Sequence, residues 1–266
     1  MHNRVTATPL VTALVIVLCA SSAAVELKKK TSDAYDAYLA AVEQQIDREQ
    51  ASPQFLWGSV APQEEKLRAG EVLIQKAGVE NQTGKVPDGL VHHWSGFIFV
   101  PNVGISRLFA FLQDYDHHHD YYKPEVARSQ LLRRDGDHFV AYMRFVKKKV
   151  ITVVLDTEHD VYYTRLDSNR AYSRSHTTRV NEVESPNEPN EHQKPDGQGG
   201  GYMWRMDTYW RYIEKDGGVY VRCDAVSLTR DIPTGLGWLI GSFITSIPKD
   251  SLFHTLNSTR VALSKP

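Results

Sequence analysis

The arm from Tyr202 to Tyr212 restricts what this chain can fold into more than any other stretch. Tyr202, Trp204, Met206, Thr208, Trp210 and Tyr212 fall on one parity, and Met203, Arg205, Asp207, Tyr209 and Arg211 on the other. Successive strand residues face opposite sides of a sheet, so such an arm has an aromatic face and a charged face. It ends at Lys215-Asp216-Gly217-Gly218, where aspartate and glycine supply the positive-φ residues of a tight hairpin. Counting outward sets Tyr212 against Val221, Trp210 against Cys223 and Met206 against Ser227. The other face pairs Arg211 with Arg222 and Tyr209 with Asp224, a polar set expected in water. The ring-bearing face needs an apolar cover, either another protein element or a ligand. A terminal helix is one candidate: Pro248 suits its start, Leu252, Leu256 and Leu263 recur near helical spacing, and Phe253 and Val261 lie beside that stripe.

Composition sets the scale. With 266 residues, 41% hydrophobic content and a formal charge of −1, one core-bearing domain with a smaller appendage is expected. No basic stripe offers an electrostatic footprint for nucleic acid. Residues 1–24 read as an export signal: His2 and Arg4, an apolar run from Leu10 to Leu18, then small residues to Ala24. That run is well short of the roughly 20 residues a membrane span needs. Bulky Leu18 before Cys19 argues against lipid attachment, and cleavage after Ala24 leaves Cys223 as the single thiol, which reads as a buried small hydrophobe.

Taken in order, Ser32 to Glu49 predicts an amphipathic helix capped by Thr31 or Ser32, docked as an appendage. Pro53 to Pro62 reads as a linker. Gly70 to Ala77 and Val91 to Val100 predict strands, and Gly104 to Gln113 a helix with Ile105, Leu108, Phe109 and Leu112 on one side. Val126 to Arg134 and His138 to Val146 flank the Asp135-Gly136 turn, and Val150 to Thr164 and Arg170 to Val183 follow as long strands. Glu184 to Gly201 reads as a mobile polar loop leading into the hairpin.

This order resembles the START-like helix-grip fold of the polyketide cyclase and lipid-transport (SRPBCC) superfamily. Phe99-Val100-Pro101 before the first helix of that unit, Asp114-Tyr115-Asp116 after it, and Arg230-Asp231-Ile232-Pro233 before the last helical region resemble phrases of exported bacterial members. The resemblance implies an α+β fold: a curved antiparallel sheet of about seven to eight strands around a long C-terminal helix. The resemblance covers about Gly70 to Leu263, so the chain is expected to divide into a signal peptide (1–24), an N-terminal helical appendage and linker (25–66), and the helix-grip domain (67–266). It also implies a cavity between sheet and helix that receives a lipid, sterol, polyketide or similar molecule.

On that resemblance the expected lining is Trp204, Met206, Trp210 and Tyr212 from the hairpin, and Phe139, Ala141, Met143 and Phe145 from the neighbouring meander. Leu252 and Leu256 come from the helix, and Trp238 and Phe243 from Thr234 to Ile247, an apolar, glycine-punctuated segment that reads as a lid, a membrane-touching surface or a buried connector. The expected function is an exported, periplasmic or secreted, binding protein and carrier for a small hydrophobic ligand. Two alternatives stay open: a cyclase/aromatase-like or hydrolase-like enzyme on the same scaffold, and an interaction domain with a filled core whose partner surface is the N-terminal helix. His117, His118 and His119 are metal-ligand types, yet three adjacent histidines cannot all aim at one ion from a regular element, so no metal is expected. Glu158, His159 and Asp160 offer acid/base groups without a telling spacing, and Tyr142, Arg144, Arg174 and His176 would orient a substrate only if the strand parity were reversed. No Walker loop, dinucleotide fingerprint or zinc-protease helix occurs, so no cofactor is expected.

Overall fold

The computed structural model describes residues 25–79, 85–148, 151–231 and 237–264, with backbone alone for 85 and 237–245. The expected signal peptide, with Cys19, lies outside them. Helix α1 (Lys29–Ala51) is followed by three short helical turns between Trp57 and Arg68. Then come β1 (Leu73–Lys76), β2 (Gly89–Pro101), α2 (Ile105–Leu112), β3 (Val126–Asp135), β4 (His138–Lys148), β5 (Thr152–Arg165), β6 (Arg170–Glu184), β7 (Arg205–Lys215), β8 (Gly218–Arg230) and α3 (Gly237–Leu263). The strands pair antiparallel throughout in the order β1-β2-β8-β7-β6-β5-β4-β3. This is the helix-grip arrangement: the sheet joins its early strand β2 to its last strand β8, and α3 lies along the inner face.

The hairpin has the register read from the sequence, with Tyr212 opposite Val221, Trp210 opposite Cys223 and Met206 opposite Ser227. Asp216 (φ 57°) and Gly217 (φ 74°) make the two-residue turn, the left-handed pair whose twist suits a hairpin. Small residues mark where α3 seats. Gly96 lies beside Cys223 in the sheet, and a Cβ there would fall 2.3 Å from Leu256 Cδ1 and 3.1 Å from Leu252 Cγ. The inner core therefore closes over Leu252, Leu256 and Leu263, joined by Ile105, Leu108 and Leu112 of α2.

Several expectations are corrected. Helix α1 starts at Lys29 without a side-chain cap, because the Thr31 hydroxyl donates instead to Pro87 O at 2.8 Å. Helix α3 runs through Pro248 rather than starting there; its missing N–H forfeits one helical bond. Glu184 to Gly201 folds back on the sheet: Gln193 donates to Asp156 (2.7 Å), Asn181 to Lys194 O (2.9 Å) and Gly200 N–H to Glu182 (2.6 Å).

The largest correction concerns the polar face of the hairpin, which is buried rather than wet. Tyr35, Tyr38, Leu39, Val42 and Ile46 of α1 pack on Tyr209, Val226 and Leu228, and charged residues are sealed with them. Arg211, fully buried, donates to Asp224 at 2.7 Å and to Glu49 of α1. Arg222 reaches Asp224 at 2.9 Å and Glu49 at 3.3 Å. Burial alone would raise the Asp224 carboxyl, but the guanidiniums of Arg222 and Arg211 outweigh it and hold it at about 2. Asp207, also fully buried, accepts from the Tyr35 hydroxyl at 2.6 Å and pairs with His176 Nδ1 at 2.9 Å. Glu43 accepts from Tyr209 at 3.1 Å. Phe55, Leu56, Val60 and Leu67 cover the same face beside Phe97, Phe99 and Tyr220. The sheet thus has helix on both sides.

Candidate functional site

The inner face can be read pleat by pleat across the four adjacent interior strands β6, β7, β8 and β2. One pleat carries Ala171, Tyr212, Val221 and Ile98, side by side and all fully buried. The next carries Ser173, Trp210, Cys223 and Gly96, where Ser173 Oγ and Tyr212 Oη lie 2.8 Å apart. The third carries Ser175, Thr208, Ala225 and Trp94, and every one of these keeps partial exposure. The fourth carries Thr177, Met206, Ser227 and His92; Met206 and Ser227 are again partly exposed, and Met206 N–H donates to Thr177 Oγ1 at 3.0 Å. Met143 and Phe145 of β4 are likewise half-buried. The wall passes from a sealed end under α2 and the last turns of α3 to an incompletely covered end.

The expected lining residues divide accordingly. Phe139, Ala141, Tyr212, Leu252 and Leu256 belong to the sealed end, where Phe139 meets Tyr163 edge-on with ring centres 5.3 Å apart. Met143, Phe145, Met206 and Trp210 belong to the half-open end. Trp204 is on the opposite side of the sheet, packed with α1, because the strand starts at Arg205 and its alternation does not extend back. The side chains of Trp238 and Phe243 lie outside the described residues. The hydroxyl-bearing positions of the half-open end were missed, although Ser173, Ser175 and Thr177 alternate visibly in the sequence.

Two histidines and two tyrosines packed at the inner face are held neutral. His159, opposite Thr177 on β5, is fully buried with Nε2 2.8 Å from Thr157 Oγ1, and burial pushes its imidazole down to about 4. His92 pairs with Thr229 at 3.0 Å and is likewise pushed down to about 4, by burial and then by Lys76. Tyr115 and Tyr163 hydroxyls lie 2.8 Å apart, and burial raises both phenols. Glu158 and Asp160 face outward to Arg179 (2.6 Å) and His138 (3.0 Å), so the Glu-His-Asp triplet is split between two faces. Tyr142 and Arg144 engage Asp156 at 2.6 and 2.7 Å, and Arg174 engages Asp47, all on the outer face.

The three adjacent histidines turn three ways. His117 pairs with Asp114 (2.7 Å), His118 with Leu112 O (3.1 Å) and His119 with Ser129 (3.0 Å). Among the described residues, no group of three or more His, Cys, Asp or Glu is placed to hold a metal ion. A separate depression of about 440 Å³ opens at the ends of β4 and β5, lined by Arg128, Arg144, Lys147, Val154 and Asp250. Arg144 and Lys147 are already paired there, with Asp156 and Glu191 and with Glu125.

No family model and no curated protein matches this chain. Solved structures do. The STAR-related lipid transfer protein of Xanthomonas axonopodis is 17% identical with a TM-score of 0.47, covering 72% of this chain and 99% of that one. The Zhui aromatase/cyclase of a Streptomyces species is 11% identical at 0.44, covering 66% and 94%. Human STARD10 is 10% identical at 0.41, covering 79% and 81%. At such identities the likeness is one of chain path alone.

Proposed function

We propose that this protein binds a small hydrophobic molecule between the half-open inner face of its sheet and α3. One observation carries the reading. Ser175, Thr208, Ala225 and Trp94 stand in the middle of the sheet yet keep partial exposure, while Asp207, Tyr209, Asp224 and Val226 on the outer side of the same strands are sealed. In a filled core, inward positions on interior strands are the most buried of all. Incomplete cover over Trp94, Trp210, Met143 and Met206 supports a hollow walled by rings and thioethers, the usual make-up of an apolar ligand site. Burial of hydrocarbon at roughly 25 cal/mol per Å² would supply most of the affinity.

Carriage and export belong to the same proposal. Residues 1–24 have the composition of an export signal, and on this proposal they would direct the mature protein to a periplasm or outside the cell. Among the described residues no helix is long and apolar enough to cross a membrane. Loading would use residues 234–247 as a lid or a transient membrane contact.

A second reading, catalysis on a bound chain, draws on the inward pairs Thr157–His159 and Ser173–Tyr212. These groups satisfy one another, which favours binding over chemistry. As for a partner surface on α1, its apolar stripe is already spent on the sheet.

Native mass spectrometry with lipid extraction of the purified protein tests the binding reading. A stoichiometric hydrophobic passenger, or uptake of one from a lipid panel, is expected. An empty protein inert to the whole panel would overturn it.

A further inference from the structure

The half-open wall also constrains the polar end of the ligand, an inference that rests on the reading above. Ser175 lies directly opposite Thr208, and Ser227, opposite Met206, lies one pleat further along on the other side of Thr208. All three are partly exposed on the inner face. Thr208 Oγ1 accepts from Trp210 Nε1 at 3.3 Å, which leaves its own O–H to donate. Ser175 and Ser227 have no side-chain hydrogen-bond partner among the described residues. Hydroxyls that both donate and accept, clustered on adjacent strands amid apolar neighbours, suit an alcohol, ketone or ester oxygen.

Charge excludes the main competitor. Across the four pleats, the inward positions of β6, β7, β8 and β2 carry no Asp, Glu, Lys or Arg, and the flanking His159 and His92 stay neutral. A carboxylate or phosphate drawn among them would lose its hydration with no ion to replace it. Lys76, opposite Trp94, and Lys249, 5.9 Å over the Trp94 ring, stand at the β2 edge. That edge is three strand spacings from Ser175 and two from Thr208, about 14 and 10 Å, and one from Ser227.

We propose that the site takes an uncharged amphiphile, its oxygen-bearing end held by Ser175, Thr208 and Ser227 and its hydrocarbon body laid along Met206, Trp210 and Trp94. The test uses N-phenyl-1-naphthylamine as a neutral fluorescent reporter on the purified protein, displaced by 1-dodecanol or by dodecanoate at pH 8. Dodecanol is expected to displace it at a concentration at least about tenfold lower, the equivalent of one good hydrogen bond against none. Ser175→Ala with Thr208→Val should weaken dodecanol about three- to tenfold relative to the reporter, with the far-UV circular dichroism and urea midpoint of the variant checking that the fold is kept. Dodecanoate competing as well as dodecanol, or dodecanol affinity untouched by the double variant, would overturn this inference alone. So would dodecanoate binding abolished by Lys249→Gln, which would put the polar end at the Trp94 edge. Failure of the reporter and of every competitor to bind would overturn the binding reading and this inference with it.

Discussion

Adding a ring at Ala225 separates a hollow from a filled core by the sign of its effect. Ala225 points inward from β8 between Thr208 and Trp94 and is half-buried; Ala141 points inward from β4 in the sealed end and is fully buried. If the space before Ala225 is open, the ring of Ala225→Phe enters it. Burying a phenylalanine side chain is worth about 1.5–3 kcal/mol. Lost rotamer freedom and imperfect fit take back part of this, leaving a gain of about 1 kcal/mol. Ala141→Phe has no such room and should cost about 1–3 kcal/mol through displaced neighbours. Urea denaturation of the two variants and the parent, monitored by far-UV circular dichroism, reads both values. Ala225→Phe should also weaken reporter binding at least about tenfold, since ring and ligand compete for one space. A loss of stability at Ala225 equal to that at Ala141, with reporter binding intact, would refute the hollow.

Two further outcomes follow from the buried polar groups. His92, His93, His118 and His159 are all buried and held neutral at about 4, against 6.5 for a free imidazole. Their folded values are depressed, so the stability they contribute is complete above 6.5 and is lost as pH falls toward 4, by about 3 kcal/mol each at the limit. His176 works in the opposite sense, since its hydrogen bond to Asp207 raises its value and its contribution fades as pH rises. Urea midpoints at pH 7.5, 6 and 5 should therefore fall steeply, and a flat profile would contradict the assignment. Separately, Tyr35→Phe removes the hydroxyl held 2.6 Å from the buried Asp207 carboxylate. It should cost about 1–3 kcal/mol and expose α1 to limited proteolysis before the rest of the chain; an unchanged digestion pattern would count against α1 as an integral layer.

Much of the fold was legible because local signals agreed. Asp216-Gly217 set the hairpin register, and the pattern of Ile105, Leu108, Phe109 and Leu112 gave α2 its buried side. What was not legible depended on partners distant in sequence. Asp207, Tyr209, Arg211 and Asp224 read as a wet face because strand charges look solvated until their counter-ions are known. Two of the partners, Glu49 for Arg211 and Glu43 for the Tyr209 hydroxyl, lie about 160 residues away on α1. Alternation carried one residue past the end of the strand points Trp204 inward, whereas its side chain packs with α1. The division of the inner wall into sealed and half-open ends follows from where Leu252 and Leu256 seat on Gly96, a tertiary fact that no single strand encodes.

The most direct test uses the methionines as reporters. Two of the four, Met143 and Met206, are half-buried on the inner face at the half-open end. In a protein carrying 13C-methyl methionine, titration with 1-dodecanol should shift both methyl resonances saturably and with one midpoint. Resonances that stay in place while dodecanol is present in excess would contradict a ligand site between the sheet and α3.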